Sequence, residues 1–538
     1  MHLFRVTALA ALIASGFVTA QAAQVPAGTL LADKQEIVRH IKDEPASLDP
    51  AKVVGLPEAQ VARDLFEGLV NQGADGKPEP GVAQSWQTVD NKRYVFKLRE
   101  NAKWSNGEPV TAYDFVYSWQ RLVDPKTLSP FAWFAQMAGI ANADGIISGK
   151  VPVQKLGVAA PDSQTLVVQL NKPVPFFVNL LANFSLFPVP QKTIEKYGND
   201  WTKPENVVGN GAFAMQERVV NEKIVLKPNP YYWDHKNTVL TKVTFIPINQ
   251  ESAATKRYLA DDIDITESFP KNMYKKLMKD IPGQVYTPDQ LGTYYYAFNT
   301  QKAPLNDVRV RRALSYAIDR QIIAEKVLGT GEKPAYHFTP DVTAGFEPVP
   351  LAMQKMTQAE RNKQAKEWLK EAGYGPKKPL KLTLLYNTSE NHQKIAIAVA
   401  SMWKKSLGAQ VKLTNQEWKT YIDSRNTGKF DVVRASWVGD YNEASTFLSL
   451  LTSTHSGNIA KFNSLGYDKL LKMASEETDA AKRNADYVQA EQIIAEQAPI
   501  APIYQYTNGR LIKPWVKGYP ITNPEDVAYS QTMYIIKH

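Results

Sequence analysis

The pattern of hydrophobic and polar positions is clearest between residues 380 and 442, where it predicts three strands and two helices in alternation. Apolar runs at 380–386, 411–413 and 430–436 are typical of buried strands. Helical patterns cover 394–407 and 418–425, and Gly408 and Gly428 follow them as stop signals. A strand–helix–strand–helix–strand order indicates a parallel, doubly wound sheet with right-handed crossovers.

Similar patterns recur through the rest of the chain. They predict strands at 36–41, 94–98, 165–170, 243–248, 263–266, 293–298 and 500–506, and helices at 58–69, 111–123, 307–327, 358–372 and 479–498. No internal repeat and no linker rich in Gly, Ser or Pro interrupts them. Because 538 residues are too many for one core, we expect two to four α/β domains joined by strand crossovers.

The first 22 residues have the organisation of a secretory signal. Arg5 supplies a positive flank, residues 6–18 are apolar, and Ala20-Gln21-Ala22 fits a cleavage site, so the mature chain is predicted to start at Ala23. No later apolar run is long enough to span a bilayer. The chain has no cysteine, which excludes disulfides, cysteine nucleophiles and a lipid anchor on cysteine. We therefore expect an exported, soluble protein of a bacterial periplasm.

Charge and motif content argue against several classes of function. The 63 basic and 54 acidic residues are dispersed, with no Lys/Arg run that would follow a phosphate backbone, so no nucleic-acid partner is expected. The sequence lacks a P-loop, HExxH, GxSxG and a strand-linked GxGxxG. Its seven histidines are scattered without an i, i+4 pair. We therefore expect the protein to bind no metal and no cofactor and to have no enzymatic activity.

Charged and aromatic residues lie at or near the ends of the predicted strands. In doubly wound sheets, ligands bind beyond the carboxyl ends of the strands. One acid, several bases and aromatic walls would suit a small molecule with two charged ends, such as a short peptide. The residues are His392, Trp418, Arg425, Arg434, Trp437 and Asp440.

Several motifs resemble one known family. They are SLDP at 47–50, GVAQSW at 81–86, YVFKLRENAKWSNGEPVTAYDFVYSWQR at 94–121, NGAF at 210–213, NQEW at 415–418 and RASWVGDYNE at 434–443. The sequence is similar, over essentially the whole predicted mature chain, to the large extracytoplasmic peptide-binding proteins of ABC importers.

The resemblance implies a three-domain periplasmic binding-protein clamp, with two hinged α/β lobes and an extra α/β domain. The implied units are lobe I at 23–66, 191–291 and 508–538, domain II at 67–190, and lobe III at 292–507. It also implies a monomer that captures a short peptide in its cleft and delivers it to an inner-membrane ABC permease.

The resemblance also implies roles for single residues. Asp440 would pair with the peptide α-ammonium, and the bases at 392, 425 and 434 would receive carboxylates of peptides of different length. The aromatic residues at 418 and 437 would form side-chain pockets. Tyr295 and Phe131 would line the cleft, and the predicted ligand-binding set is completed by Gly439, Val438, Leu56 and Val54.

Four positions depart from the family pattern. Gly292 and Val438 stand where a pair of bridging cysteines is usual, Val54 stands where a glutamate is usual, and Ala297 replaces another acid. Loss of two acids would favour an anionic peptide, such as the murein tripeptide L-Ala-γ-D-Glu-meso-diaminopimelate. General oligopeptide, dipeptide or metal-chelate carriage is the alternative, and a periplasmic amidase or peptidase is a further one.

Overall fold

A computed structural model describes residues 23–538, apart from residues 54, 388, 417 and 456 and the side chains of residues 390, 418, 419 and 422. The predicted signal peptide and Val54 therefore lie outside the described residues. None of the described helices combines the length and the apolar character that a membrane crossing requires.

The strands of the described residues form three large sheets and three two-stranded ones. They are β1 Glu36–Ile41, β2 Val70–Gln72, β3 Pro78–Pro80, β4 Ala83–Thr88, β5 Arg93–Leu98, β6 Val158–Asp162, β7 Thr165–Gln169, β8 Phe213–Val219, β9 Lys223–Pro228, β10 Lys242–Pro247, β11 Val285–Tyr286, β12 Asp289–Phe298, β13 Lys333–Pro334, β14 Lys381–Asn387, β15 Gln410–Gln416, β16 Val432–Val438, β17 Ile500–Thr507, β18 Arg510–Leu511, β19 Val516–Lys517 and β20 Tyr534–Ile535.

The helices surround these sheets. They are α1 Leu56–Leu65, α2 Ala112–Val123, α3 Ala132–Met137, α4 Ala143–Ile147, α5 Phe177–Leu180, α6 Gln191–Tyr197, α7 Glu251–Leu259, α8 Tyr274–Asp280, α9 Val308–Tyr316, α10 Arg320–Ile322, α11 Gln358–Glu371, α12 Glu390–Leu407, α13 Trp418–Asn426, α14 Ser445–Leu448, α15 Leu465–Glu476 and α16 Ala480–Gln497. A π-helical turn at Ile323–Leu328 continues α10.

The N-terminal sheet has the order β1-β10-β9-β8, with β1 parallel to β10 and the other pairs antiparallel. The small antiparallel sheet has the order β4-β5-β7-β6. One continuous hydrophobic core joins these two sheets, because Ile37 and Phe245 of the first cluster with Phe96 and Leu166 of the second. Together they form one packed body.

The large sheet has the order β13-β17-β12-β16-β14-β15. The predicted parallel part is confirmed, since β14 runs parallel to both β15 and β16. The sheet as a whole is mixed, because β16 also pairs antiparallel with β12 and β12 pairs antiparallel with β17. Separate cores cover its two faces, and β12 alternates between them: Tyr294 and Tyr296 enter one core, and Tyr295 enters the other.

Three of the predicted elements are wrong in extent. The first helix ends at Leu65, so residues 66–69 are not helical. Residues 263–266 form isolated bridges around Ile265 and no regular strand. The predicted helix at 307–327 is broken between Tyr316 and Arg320, where the Asp319 carboxylate accepts a hydrogen bond from Ile322 N and caps a new helix start.

Candidate ligand-binding cleft

The turn after β16 carries the predicted acidic anchor. Gly439 N donates a hydrogen bond to Leu291 O at 2.8 Å, and Asp440 N donates one to Thr446 Oγ1 at 3.1 Å. A Cβ atom at position 439 would lie 2.6 Å from Leu291 Cδ2, so this close approach to β12 requires glycine. The backbone of Asp440 is therefore held in place, and its side chain lines a cavity.

The Asp440 carboxylate is a charge without a counterion. Among the described residues, no hydrogen bond or ion pair reaches it. The side chain is exposed and lines a cavity between protein surfaces. The surrounding protein still removes part of the hydration of the carboxylate, which raises the pKa of Asp440 to about 6. A partly desolvated, unpaired carboxylate is stabilised when a cation arrives.

The cavity beside Asp440 has a volume of about 680 Å³. Trp133 and Phe176 come from the part of the chain that forms the small antiparallel sheet, and Trp437 and Tyr441 come from the end of β16 and the turn after it. The rings of Phe176 and Tyr441 stack at 5.3 Å between centroids. The cavity therefore has aromatic walls from two bodies, with the acid between them.

Arg434 is the opposite case, a cation buried within β16. It is 7% exposed, its Nη2 donates to Tyr506 Oη at 3.0 Å, and its Nη1 donates to Asn387 Oδ1 at 3.4 Å. The guanidinium carbon lies 4.9 Å from the centre of the Tyr294 ring. Its Nε has no partner among the described residues, and none of their carboxylates forms an ion pair with it. Arg434 is therefore a buried cation held by neutral groups, without a carboxylate partner among the described residues.

His392 lies in the first turn of α12, with its ring 5.6 Å from that of Tyr294. Burial, together with the positive charges of Arg434 and Lys271, lowers the pKa of His392 to about 3. The imidazole is therefore neutral near pH 7. It offers a hydrogen bond rather than the positive charge that the sequence suggested.

Arg425 lies in the last turn of α13 and is partly exposed. Its guanidinium carbon is 5.9 Å from the Tyr421 ring, and Tyr421 Oη donates a short hydrogen bond to Arg434 O. Tyr421 therefore connects the two arginines. Trp418 begins α13, and its side chain lies outside the described residues.

The remaining predicted positions are divided between the cleft and the cores. Val438 is 47% exposed and lies directly opposite Gly292 across the β12–β16 ladder. Leu56 is 56% exposed at the start of α1. Phe131 packs between Trp133 and Phe184, with ring centroids 5.7 and 5.2 Å away.

Tyr295 is 5% exposed and packs edge-on against Phe338 at 4.9 Å. Ala297 is fully buried in the same core. The interpretation of Ala297 as a lost acid of the cleft surface needs correction, since a side chain at this position points into the core.

Sequence reasoning did not identify the tyrosines that hold Arg434 or the residues opposite Asp440. Tyr294, Tyr421 and Tyr506 surround the guanidinium or its backbone, and Trp133 and Phe176 come from a part of the chain far from 434–443. No local signal marks these residues, because their roles depend on strand register and on the packing of two bodies.

A second cavity of about 590 Å³ lies between residues 268–272 and the start of α12. Lys271 and Lys394 line it, and Lys271 Nζ forms an ion pair with Glu332 at 2.8 Å. In the described part of the chain, no group of three or more His, Cys, Asp or Glu side chains is arranged to hold a metal ion.

A family model described as bacterial extracellular solute-binding proteins, family 5 Middle, matches residues 77–458. The chain belongs to this family. Members of family 5 with curated names include the periplasmic murein peptide-binding protein MppA of Escherichia coli strain K12, which is 72% identical over 98% of both chains. The periplasmic oligopeptide-binding protein OppA of Salmonella typhimurium is 50% identical over 98% of this chain and 97% of its own.

A solved structure of the unliganded open form of the periplasmic murein tripeptide-binding protein MppA matches this family 5 fold with a TM-score of 0.88. It is 72% identical in sequence, and the match covers 95% of this chain and 99% of that one. The expected fold class, a mixed α/β periplasmic binding protein, is confirmed.

Proposed function

We propose that this family 5 protein captures short peptides in the cleft beside β16, with the murein tripeptide L-Ala-γ-D-Glu-meso-diaminopimelate as its principal ligand. One observation carries the proposal: Asp440 and Arg434, six residues apart, each lack a counterion in the described protein. Six residues of strand span at most roughly 20 Å, and a tripeptide spans roughly 10 Å, so one ligand can meet both charges.

The proposed assignment places the ligand ammonium at Asp440 and a ligand carboxylate beside the positive charge of Arg434. A γ-linked glutamate has an additional free carboxylate in the middle of the peptide, and the partly exposed guanidinium of Arg425 would receive it. The neutral His392 would donate a hydrogen bond to a third anionic group. The murein-binding relatives support this choice of ligand.

The proposal includes the delivery of the peptide to an inner-membrane ABC permease for uptake and cell-wall peptide recycling. We further propose that the protein is exported, with cleavage after Ala22, and that it is a monomer without enzymatic activity. The division into lobes I and III and domain II given above is part of the same proposal. The curated relatives are named as periplasmic binding proteins, which supports export and carriage.

Calorimetric titration of the mature protein with the murein tripeptide, trialanine and an uncharged tripeptide tests the proposal. We expect the murein tripeptide to bind most tightly, because it alone offers an extra carboxylate to the arginines. Equal or tighter binding of trialanine would make the protein a general oligopeptide carrier. Recovery of intact peptide after incubation, measured by mass spectrometry, would support carriage, and cleavage would indicate a peptidase or amidase.

A further inference from the structure

A second carboxyl group, that of Glu525, lies close to the proposed ammonium anchor. Glu525 follows the segment Asn523–Pro524, whose carbonyl at Pro524 accepts a hydrogen bond from Leu291 N at 2.7 Å. Leu291 O in turn accepts from Gly439 N, the residue before Asp440, at 2.8 Å. The two acidic segments are therefore joined through a single residue of β12.

The same segments also meet at Gly76. A Cβ atom there would lie 2.7 Å from Asn442 Nδ2 and 3.3 Å from Pro524 Cδ. Asn442 is two residues beyond Asp440, and Pro524 is the residue before Glu525. This close packing brings the chain around Glu525 against the turn that carries the anchor.

Glu525 is held in place by a neutral partner. Gln72 Nε2 donates a short hydrogen bond to its carboxylate, and Gln72 is itself oriented by Asn523 Nδ2, which donates to Gln72 Oε1 at 3.2 Å. The nearest cation is Arg63 of α1, which forms no ion pair with Glu525 within 4.0 Å. An amide partner fixes the carboxyl group but leaves its charge in place.

The charges around this point do not balance. Arg63 faces Glu525, as do Asp440 and the neutral phenol of Tyr529, while the neighbouring Asp526 is already paired with Arg510. When both carboxyl groups are ionised, the one guanidinium of Arg63 faces two carboxylates, and one of these lacks a positive partner. A single ligand ammonium would supply it.

We propose that Glu525 is the second acidic residue of the amino-terminal subsite, and that entry of the ligand ammonium beside Asp440 and Glu525 releases a proton from this pair to solvent. The inference rests on the proposed function and deepens it. It makes selection for a free amino terminus depend on two carboxyl groups contributed by the two bodies of the protein.

The pKa values of the two carboxyl groups agree with this arrangement. Burial raises the pKa of Glu525 to about 7, the negative charge of Asp440 raises it further, and Gln72 and Arg63 oppose the rise. Partial loss of hydration raises the pKa of Asp440 to about 6. Near pH 6 the empty pair holds a proton, whereas a peptide amine, with a pKa of about 8, is already charged. Proton release at this pH therefore comes from the protein.

The test compares wild type with Glu525→Gln, which keeps the side-chain shape and an oxygen for Gln72. Murein tripeptide is titrated at pH 6 in two buffers of different ionisation enthalpy, and the difference gives the number of protons released. We expect roughly one proton for wild type and about half as many or fewer for the variant. At pH 8 the variant should bind the tripeptide roughly tenfold more weakly than wild type does. This difference in affinity should become smaller toward pH 5.

An N-acetylated tripeptide and two further variants separate recognition from structure. Acetylation removes the amino-terminal ammonium and leaves the free amino group of the diaminopimelate in place, so the acetylated ligand should bind wild type and Glu525→Gln equally. Glu222→Gln, an exposed glutamate in the turn before β9, is the matched control and should behave as wild type. If Glu525→Gln does not fold, Glu525→Asp replaces it as the test, because it retains the charge on a shorter side chain. We expect this variant to show a weaker preference for the free tripeptide over the acetylated one.

The inference would be overturned if wild type and Glu525→Gln released the same number of protons and the ratio of their affinities did not change with pH. Glu525 would then serve only to hold Gln72 in place. That result would leave the proposed function intact, because wild type would still bind the tripeptide. Failure of wild type to bind any of the peptides would instead reject the proposed function and the inference with it.

Discussion

The two ends of the cleft present opposite charges in opposite ways. Arg434 lies inside a strand, where tyrosine hydroxyls and rings hold its guanidinium in one orientation. Asp440 lies in the following turn, where only its backbone is fixed and its carboxylate faces a cavity. Under the proposed function, we expect the basic end to set the position of the ligand and the acidic end to recognise its ammonium.

The largest effect is expected at the acidic end. Asp440→Ala should weaken binding of the murein tripeptide by about 3–5 kcal/mol, because the ligand ammonium would be left buried without a partner. Thermal stability should change little, since no described residue contacts the carboxylate. Calorimetry with the N-acetylated tripeptide is the control. A similar loss with the acetylated ligand would show that Asp440 does not read the ammonium.

A smaller effect is expected at the basic end. Arg434→Lys keeps the charge but loses the fork that contacts Tyr506, Asn387 and the ligand, so affinity should fall by about 2 kcal/mol. The same titrations measure it. If lysine binds the tripeptide as tightly as arginine, charge alone acts at this end and the tyrosine surroundings have no role in orientation.

The turn between the two ends can be tested separately. Gly439→Ala should lower the free energy of unfolding by about 1–2 kcal/mol, because a Cβ there overlaps Leu291. Gly466→Ala, in the first turn of α15 with no atom within 4 Å of a new Cβ, is the control and should be neutral or slightly stabilising. Denaturant unfolding compares them. Equal stabilities would show that the Leu291 side chain moves aside freely.

The smallest effect concerns His392. Its lowered pKa keeps it neutral from pH 5 to 8, so His392→Asn should leave the shape of the affinity profile unchanged in this range. Wild-type affinity should rise from pH 5 to 7, because Asp440 ionises as pH rises through about 6. An affinity that instead fell as pH rose, and lost this trend in His392→Asn, would mean that a charged His392 holds a carboxylate.

Protein stability gives an independent measure of the same histidine. Because the pKa of His392 is lower in the folded protein than the usual value of 6.5, the unfolded chain binds more protons below that pH. The stabilising contribution of the neutral ring is therefore present above pH 6.5 and is lost as pH falls. We expect Tm to drop less between pH 7 and 5 in His392→Asn than in wild type.

Local pattern was sufficient to predict the elements around the cleft. The three strands and two helices at 380–438 are local features, and the structure has them within a few residues. The surroundings of Arg434 could not be predicted, because Tyr506 reaches it from 72 positions away through the β12–β17 ladder. The break at 317–319 was also missed, because Asp319 competes as a cap within a continuous helical pattern.

The shared core of the two N-terminal sheets has a mechanical consequence. Among the described residues, the first and second large sheets share one hydrophobic core, so we expect them to move as one part and the large mixed sheet as another. Tyr441, the residue after Asp440, is buried in that shared core and stacks on Phe176. The loop that carries Asp440, the proposed ammonium anchor, therefore contacts both parts of the protein. We expect a displacement of Asp440 to be transmitted through Tyr441 to the part that carries Phe176.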